Sequence, residues 1–232
     1  MGDAIGMKNQ LGQQMGRKGQ VTRQRIVEKA RSILAVTPLS ELNSTEVARE
    51  AGVSVATFYT YYRDIDGLLL DCVREVLSAT DRIFEALDGN WTQVDLPGHV
   101  ESFVENYMAY WDIYRCELRI LCLESDRGKK DFIQLRVDLS NRIIEALGTK
   151  LKQCRPALTN HFMLASVVYT AMERLASLDR DMLASFANRE LPSGPHVMTR
   201  ENVDRAIADL LILIGAAAVQ NDSEGKAPTN VQ

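Results

Sequence analysis

The feature that most limits how this chain can fold is a pair of short helical segments that meet at Gly52. Asn43 stands before the first segment with Glu46 three residues later, a pattern typical of a helix N-terminus. Gly52 occupies the place where a left-handed residue commonly closes a helix, and Ser54 then offers a new N-terminal cap. The sequence therefore predicts two short helices joined by a tight turn.

Longer helices are predicted on both sides of this pair. From Thr22, apolar residues including Ile26 and Leu34 recur at helical spacing, so a first helix is expected to end near Pro38. After the pair, a helical pattern continues to Leu87 and predicts one long fourth helix of about six turns. The chain thus begins with three helices that lead into a long one.

The remainder of the chain has the composition of a helical globular protein. Among 232 residues, 46% are hydrophobic, and only 14 are Gly and 6 are Pro, so residues that break helices are scarce. Further helices are expected near residues 99–112, 114–125, 129–153, 158–180 and 199–220. The predicted fold class is all-α, with an N-terminal three-helix domain, a C-terminal helical domain and about nine helices.

Several broad classes of protein are not expected. The longest stretch without a charged residue, 156–172, is 17 residues long, whereas a membrane span requires roughly 20 apolar residues. The N-terminus lacks an apolar run behind basic residues, so no secretory signal is expected and the predicted location is the cytoplasm. The four cysteines form no CxxC pair and no metal-ligand spacing with histidine. They are predicted to be core residues, with no metal and no cofactor.

The charge is unevenly distributed along the chain. Residues 1–63 carry nine basic and five acidic side chains, so this quarter has a net charge of +4 while the whole chain has −4. A basic head on an acidic body suits a polyanionic partner. A solvated helix face with an accidental bias would give the same count, and charge alone leaves both interpretations open.

The segment 43–69 resembles the DNA-binding head of the TetR (tetracycline-repressor-like) family of bacterial transcription regulators. The residues that carry the resemblance are Val47-Ala48, Ala51-Gly52-Val53-Ser54, Thr57-Phe58-Tyr59, Tyr62 and Leu68-Leu69. The resemblance covers about residues 22–75 and implies a helix-turn-helix whose second helix enters the major groove of DNA. It also implies a C-terminal domain that binds a ligand and dimerises.

The resemblance implies DNA contacts at the start of the first short helix and along the second. Ser44 and Thr57 are assigned as phosphate contacts. The residues assigned as base contacts are Thr45, Val55, Ala56 and Tyr59. Thr60 and Tyr61 are assigned as further contacts with the DNA backbone. Backbone N–H groups behind the Ser54 cap can also hold a phosphate. Phe58 and Tyr62 are four residues apart and are predicted to face the core.

One position departs from the family pattern. Ile65 stands where the family usually has a lysine that contacts phosphate. Arg63, or the pair Arg17 and Lys18 in a basic arm, is expected to replace that contact.

The last helices are predicted to form a dimer interface. Residues 210–219 are apolar on every side and must be covered all round, and residues 162–172 have the same character. Pairing both helices with their copies gives a four-helix interface, which is also the family's usual dimer. The interface residues expected are Leu164, Val168, Leu210, Leu213, Ile214 and Ala217. Burial of both helices within one subunit is the alternative.

The helices between residues 99 and 175 mix large apolar side chains with polar ones, as the walls of ligand pockets do. The predicted pocket residues are Phe103, Asn106, Tyr107, Trp111, Glu117, Tyr169 and Glu173. The alternative is that the aromatic residues form an ordinary core and that the two glutamates are solvated.

The function predicted is a dimeric, sequence-specific DNA-binding regulator, a repressor released from an inverted-repeat operator by a small organic ligand. The expected domains are an arm at 1–20, the DNA-binding domain at 21–66, the ligand-binding and dimerisation domain at 67–220 and a tail at 221–232. A DNA-binding protein of the same fold that senses no small molecule is the alternative. An enzyme is not expected, because the sequence has no Gly-rich phosphate loop, HExxH or GxSxG motif. A thiol sensor would need an exposed cysteine of lowered pKa.

Overall fold

The computed structural model describes residues 15–177 and 200–216, and all regular structure in these two ranges is helical. The ten α-helices described are α1 (Arg17–Leu34), α2 (Ser44–Glu50), α3 (Val55–Tyr61), α4 (Ile65–Leu77), α5 (Asp81–Ala86), α6 (Leu96–Ile113), α7 (Arg115–Asp126), α8 (Lys130–Cys154), α9 (His161–Ala176) and α10 (Arg200–Ala216). One turn of 3-10 helix at Leu39–Glu41 joins α1 to α2. The predicted all-α class is confirmed.

The boundaries of α2, α3 and α4 follow from their capping residues. The Asn43 side chain accepts a hydrogen bond from the Glu46 N–H, and the Ser54 hydroxyl accepts one from the Thr57 N–H. Gly52 has a φ of +62°, in the left-handed region that closes α2 without steric strain. The predicted short helices and the tight turn between them are therefore confirmed.

The predicted long fourth helix is wrong, because the chain leaves the helix between α4 and α5. The Ser78 hydroxyl donates to the carbonyl of Glu75 (2.6 Å), and the Ala79 N–H turns back to Val76 three residues earlier. Serine and threonine side chains compete in this way with the regular helical hydrogen bonds. The carbonyl of Thr80 then accepts the first hydrogen bonds of α5.

The first helix also begins earlier than predicted. It starts at Arg17 instead of Thr22, so it includes the last residues of the segment predicted to be an arm. Arg17 and Lys18 therefore lie in the first turn of α1.

The described chain divides into two compact units. The first, called the head unit here, consists of the residues up to Ala79 together with Cys116–Arg136. Its core contains residues from all four of the helices α1, α2, α3 and α4. Three residues much later in the sequence belong to the same core: Ile120, Leu121 and Phe132. The end of α7 and the start of α8 thus pack with the three helices of the predicted DNA-binding domain.

The second unit, called the body unit here, consists of Thr80–Arg115 and the described residues from Val137 onward. Its central helix is α6, which packs against α5, α9 and α10. The segment before α6 is held by Gln93, whose side-chain amide donates to the carbonyls of Cys154 and Gly215. Within the described residues, no helix is both long and apolar enough to cross a membrane.

Candidate nucleic-acid interface

The α3 helix has one buried face and one exposed face. Phe58 is fully buried in the core of the head unit, and Tyr62, which follows the helix, is 2% exposed. On the opposite side, Tyr59 is 49% exposed and Val55 is 38% exposed, and Ala56 is also exposed. A large aromatic side chain that remains half exposed next to small residues suits contact with DNA bases.

The exposed face is held by hydrogen bonds between neighbouring side chains. The Ser44 hydroxyl at the start of α2 lies 3.0 Å from the hydroxyl of Tyr59, so α2 orients the tip of this tyrosine. Ser54 and Thr57 share a 2.8 Å contact between their hydroxyls. Thr45 is exposed beside Ser44. The structure therefore brings the predicted phosphate and base contacts to the adjoining ends of α2 and α3.

The two residues predicted to contact the DNA backbone, Thr60 and Tyr61, are less exposed than Tyr59. Tyr61 is partly buried and packs against the core of the head unit, and the hydroxyl of Thr60 donates to the carbonyl of Ala56 in its own helix. Tyr61 is thus in part a core residue, which the spacing of aromatic residues did not reveal.

Three exposed basic residues of the head unit are predicted to contact phosphate. Arg17 and Lys18 are in the first turn of α1, and Arg63 lies between α3 and α4. None of them forms an ion pair with any residue that the structure describes. Their charges are available to a polyanion.

Glu117 lies in the head unit and is already paired. Its carboxylate is 5% exposed and accepts a 2.5 Å hydrogen bond from Nε of Arg31 on α1, which also lies 3.8 Å from Glu75 of α4. The predicted pocket residue Glu117 is thus a buried carboxylate whose charge is neutralised by the partly exposed Arg31, because a carboxylate without water needs a cation. No short-range sequence pattern links residues 86 positions apart.

In the body unit, the predicted aromatic residues do cluster. Phe103, Tyr107, Trp111 and Tyr169 are all at most 5% exposed. The rings of Tyr107 and Tyr169 meet edge to face at 6.0 Å, and those of Phe103 and Tyr107 lie 6.2 Å apart. Asn106 is set apart from this cluster, since its amide donates to the carbonyl of Ser102 in its own helix.

The Tyr107 hydroxyl is fully buried, and its hydrogen-bonding neighbours are Trp111 and Tyr169, neither of which meets it with regular hydrogen-bond geometry. Burial raises the pKa of Tyr107 well above its usual value, and the nearby Tyr169 and Glu173 raise it further. The group is therefore a neutral hydroxyl that retains hydrogen-bonding capacity inside an aromatic cluster.

The two helices predicted to form the dimer interface, α9 and α10, expose apolar side chains. Some of these side chains are not among the interface residues predicted from the sequence. Val168 is 1% exposed and belongs to the core of the body unit, whereas its neighbour Val167 is 59% exposed. Leu213 is 67% exposed, Leu210 is 42% exposed, and Leu164 and Ile214 are partly buried. Phe162 and Met163, which belong to the apolar stretch 162–172 predicted to pair with its copy, are also exposed on α9. Ala217 lies outside the described residues.

Three of the four cysteines have thiols whose pKa is raised by burial, which is unlike a redox sensor. Burial raises the pKa of Cys72 to about 12, with Glu117 contributing, and raises the pKa of Cys116 to about 11 and that of Cys154. Such thiols stay protonated at neutral pH and react slowly. Within the described residues, no group of three or more metal-ligating side chains is arranged to hold an ion.

The comparison with family models matches residues 26–72 to the family described as bacterial regulatory proteins, tetR family. The comparison with curated proteins gives no match.

Solved structures of similar fold cover almost the whole chain. One is a transcriptional regulator from Rhodococcus sp. Rha1, with a TM-score of 0.61 and 16% identity over 85% of this chain and 98% of that one. Another is the fatty acid degradation regulator FadR from Bacillus halodurans, with a TM-score of 0.58 and 12% identity over 87% and 96%. A third is the ketosteroid transcriptional regulator KstR2 of Mycobacterium tuberculosis, with a TM-score of 0.52 and 14% identity over 84% and 93%. At these identities the likeness shows a shared fold.

The residues matched by the family model are those that form the capped helix pair, the buried Phe58 and the exposed Tyr59. The resemblance inferred from the sequence is thereby confirmed. Over residues 26–72, the chain is similar to the tetR family of bacterial regulatory proteins, and the solved regulators show that the fold is shared beyond this segment.

Proposed function

We propose that this chain is a dimeric repressor that binds an inverted-repeat operator and leaves it when a small organic ligand binds the body unit. The observation that carries the proposal is the exposed face of α3, where Tyr59 stands half exposed above the buried Phe58. A helix held so firmly on one side can present its other side to the major groove without rearrangement. The protein would act in the cytoplasm, where bacterial DNA lies.

Dimerisation is supported by the apolar surface of α9 and α10. These two helices pack against each other within the body unit, and each exposes large apolar side chains, including Val167 and Leu213. Adjacent exposed apolar residues on paired helices are typical of surfaces that bind a partner. A second copy of the chain would bury them and would give two recognition helices related by a two-fold axis.

Ligand control is supported by the aromatic cluster around Tyr107. The Tyr107 hydroxyl has Trp111 and Tyr169 as hydrogen-bonding neighbours of poor geometry, and a ligand that offers a better-placed donor or acceptor would compete with them. The surrounding Phe103, Trp111 and Tyr169 would contact an apolar part of the same molecule. We therefore expect a mainly apolar ligand with a polar group.

A route from ligand to head is given by the order of the helices. Because α4 and α5 are separate helices, a continuous lever from head to body does not exist along that segment. Instead, α7 follows α6 after the single residue Tyr114 and contributes Ile120 and Glu117 to the head unit. Within the head unit, Arg31 joins α7 to α1 through its ion pair with Glu117.

The DNA-binding part is tested by selecting duplexes from random-sequence DNA with the full chain. The expected result is an inverted repeat whose half-sites are separated by about one helical turn or a multiple of it. A selection that returns only asymmetric motifs, or no motif at all, would contradict the proposal.

The ligand part is tested with fatty acids and ketosteroids, because two regulators of similar fold are named for these compounds. We expect at least one of them to release the selected operator, and Tyr107→Phe to weaken that release while leaving operator affinity unchanged. Operator affinity that no tested compound alters would favour the alternative of a regulator without small-molecule sensing.

A further inference from the structure

A basic turn lies between α7 and α8 in the head unit. It contains Arg127, Gly128, Lys129 and Lys130. Gly128 has a φ of +83°, and its N–H donates to the carbonyl of Ser125, which closes α7 tightly. The turn is therefore short and well defined.

The turn is fixed to the same core as the recognition helix α3. Ile120 and Leu121, which precede it, and Phe132, which follows it, are at most 3% exposed and belong to the cluster that buries Phe58. Any movement of the turn relative to α3 would have to break this core.

An ion pair places the turn beside the beginning of α4. Nζ of Lys129 lies 2.7 Å from the carboxylate of Asp66, which is in the first turn of α4. The recognition helix ends at Tyr61, only five residues earlier in sequence. At this end of α4, Ile65 stands where the family resemblance leads one to expect a lysine that contacts phosphate.

Most carboxylates in and next to the turn already form ion pairs with neighbouring basic side chains. Glu124 is 1% exposed, and its oxygens lie 2.5 Å from Arg127 and 2.5 Å from Lys129. Asp126 is paired with Arg136 at 2.9 Å. Asp131 remains as an exposed carboxylate in the first turn of α8.

Two basic side chains of the turn, those of Arg127 and Lys130, are exposed to solvent. Lys130 is exposed and has no ion-pair partner among the residues that the structure describes. The Arg127 side chain is 63% exposed and uses only one end of its guanidinium on Glu124. Both long side chains are free to reach a phosphate.

We propose that Lys130 and Arg127 bind the phosphodiester backbone of operator DNA beside the half-site that α3 of the same head reads. The proposal rests on DNA binding by the head and adds a second phosphate contact from a segment distant in sequence. Such contacts carry no base information, so they raise affinity for operator and for unrelated duplex DNA alike.

The test compares the full chain with Lys130→Gln and Lys130→Arg, measuring affinity for the selected operator and for a random duplex between 50 and 200 mM salt. A lost phosphate contact makes the plot of log affinity against log salt shallower by about 0.9 per contact. We expect this change for Lys130→Gln on both duplexes, restoration by Lys130→Arg, and a further change when Arg127→Gln is added.

Arg82→Gln is the matched control, because Arg82 is an exposed arginine on α5 of the body unit and its loss changes the net charge equally. A double variant Arg127→Gln with Lys130→Gln that keeps the wild-type salt dependence would overturn the proposal while the wild type still binds its operator. Failure of the wild type to bind any operator would instead contradict the function proposed above.

Discussion

The interior of the head unit and the interior of the body unit accommodate polar groups in different ways. In the head unit, buried carboxylates are paired across helices, as in Asp71 with Arg23 and Glu117 with Arg31. In the body unit, the buried polar atoms include the hydroxyl of Tyr107, which lies inside an aromatic cluster beside Trp111 and Tyr169. Ion pairs between helices fix the positions of those helices, whereas a neutral hydroxyl among aromatic rings can exchange one hydrogen-bond partner for another.

The surfaces of the two units also differ in the kinds of side chain that they expose. The head unit exposes Tyr59 and isolated cations, which suit DNA. The body unit exposes apolar side chains on two adjacent helices, which suit a second copy of the chain. The head unit thus presents polar and charged groups on a core held by ion pairs, whereas the body unit presents apolar side chains on adjacent helices.

The largest expected effect comes from breaking the Arg31 and Glu117 pair in the head unit. Replacing Arg31 by Met leaves a carboxylate that is 5% exposed without its cation, which we expect to lower the unfolding free energy by about 3 kcal/mol. Replacing Glu117 by Gln leaves the more exposed arginine free to be hydrated, so a loss of about 1 kcal/mol is expected. Urea denaturation measures both.

Equal, small losses for the two variants would show that the pair does not fix α7 to α1. The head unit would then be no more rigid than the body unit, and the comparison between them would fail.

The next effect concerns the apolar surface of the body unit. Val167→Glu or Leu213→Glu would place a charge in the proposed dimer interface, and the dimer is expected to weaken by roughly 100-fold, about 2.7 kcal/mol. Val94→Glu is the control, since Val94 is 87% exposed in the loop before α6. Sedimentation equilibrium measures the association. If Val167→Glu and Leu213→Glu keep the wild-type mass, as the control is expected to, α9 and α10 do not form the interface.

A smaller effect is expected at the exposed face of α3. Tyr59→Ala should weaken operator binding by about 2 kcal/mol, which is typical of a good base contact, and should leave thermal stability unchanged. Tyr59→Phe keeps the ring but loses the contact with Ser44, so a smaller loss is expected. Fluorescence anisotropy with labelled operator measures the affinity. Reduced stability with unchanged affinity per folded molecule would identify Tyr59 as a core residue.

Much of the helix-turn-helix could be predicted because its signals are local. Asn43, Gly52 and Ser54 act on backbone groups within three residues, so their roles are legible in the sequence. The buried Phe58 follows from helical spacing in the same way.

The features that sequence reasoning missed depend on distant partners or on small rotations. Arg31 meets Glu117 across 86 positions, and no periodicity encodes that pairing. Val167 and Val168 are adjacent and equally apolar, so only the packing of α9 decides which of them is buried. The break after α4 occurs at Ser78, whose side chain bonds to the carbonyl of Glu75, and the tendency of serine to interrupt a helix depends on context.

The central claim is that heads which read DNA are brought together in pairs by the body units. The most direct test is the mass of the complex between the full chain and the selected operator, measured by analytical ultracentrifugation with a duplex of known length. We predict two chains on an intact inverted repeat, and loss of tight binding when one half-site is scrambled. One chain on the operator, or equal affinity for the intact and half-scrambled duplexes, would contradict the account.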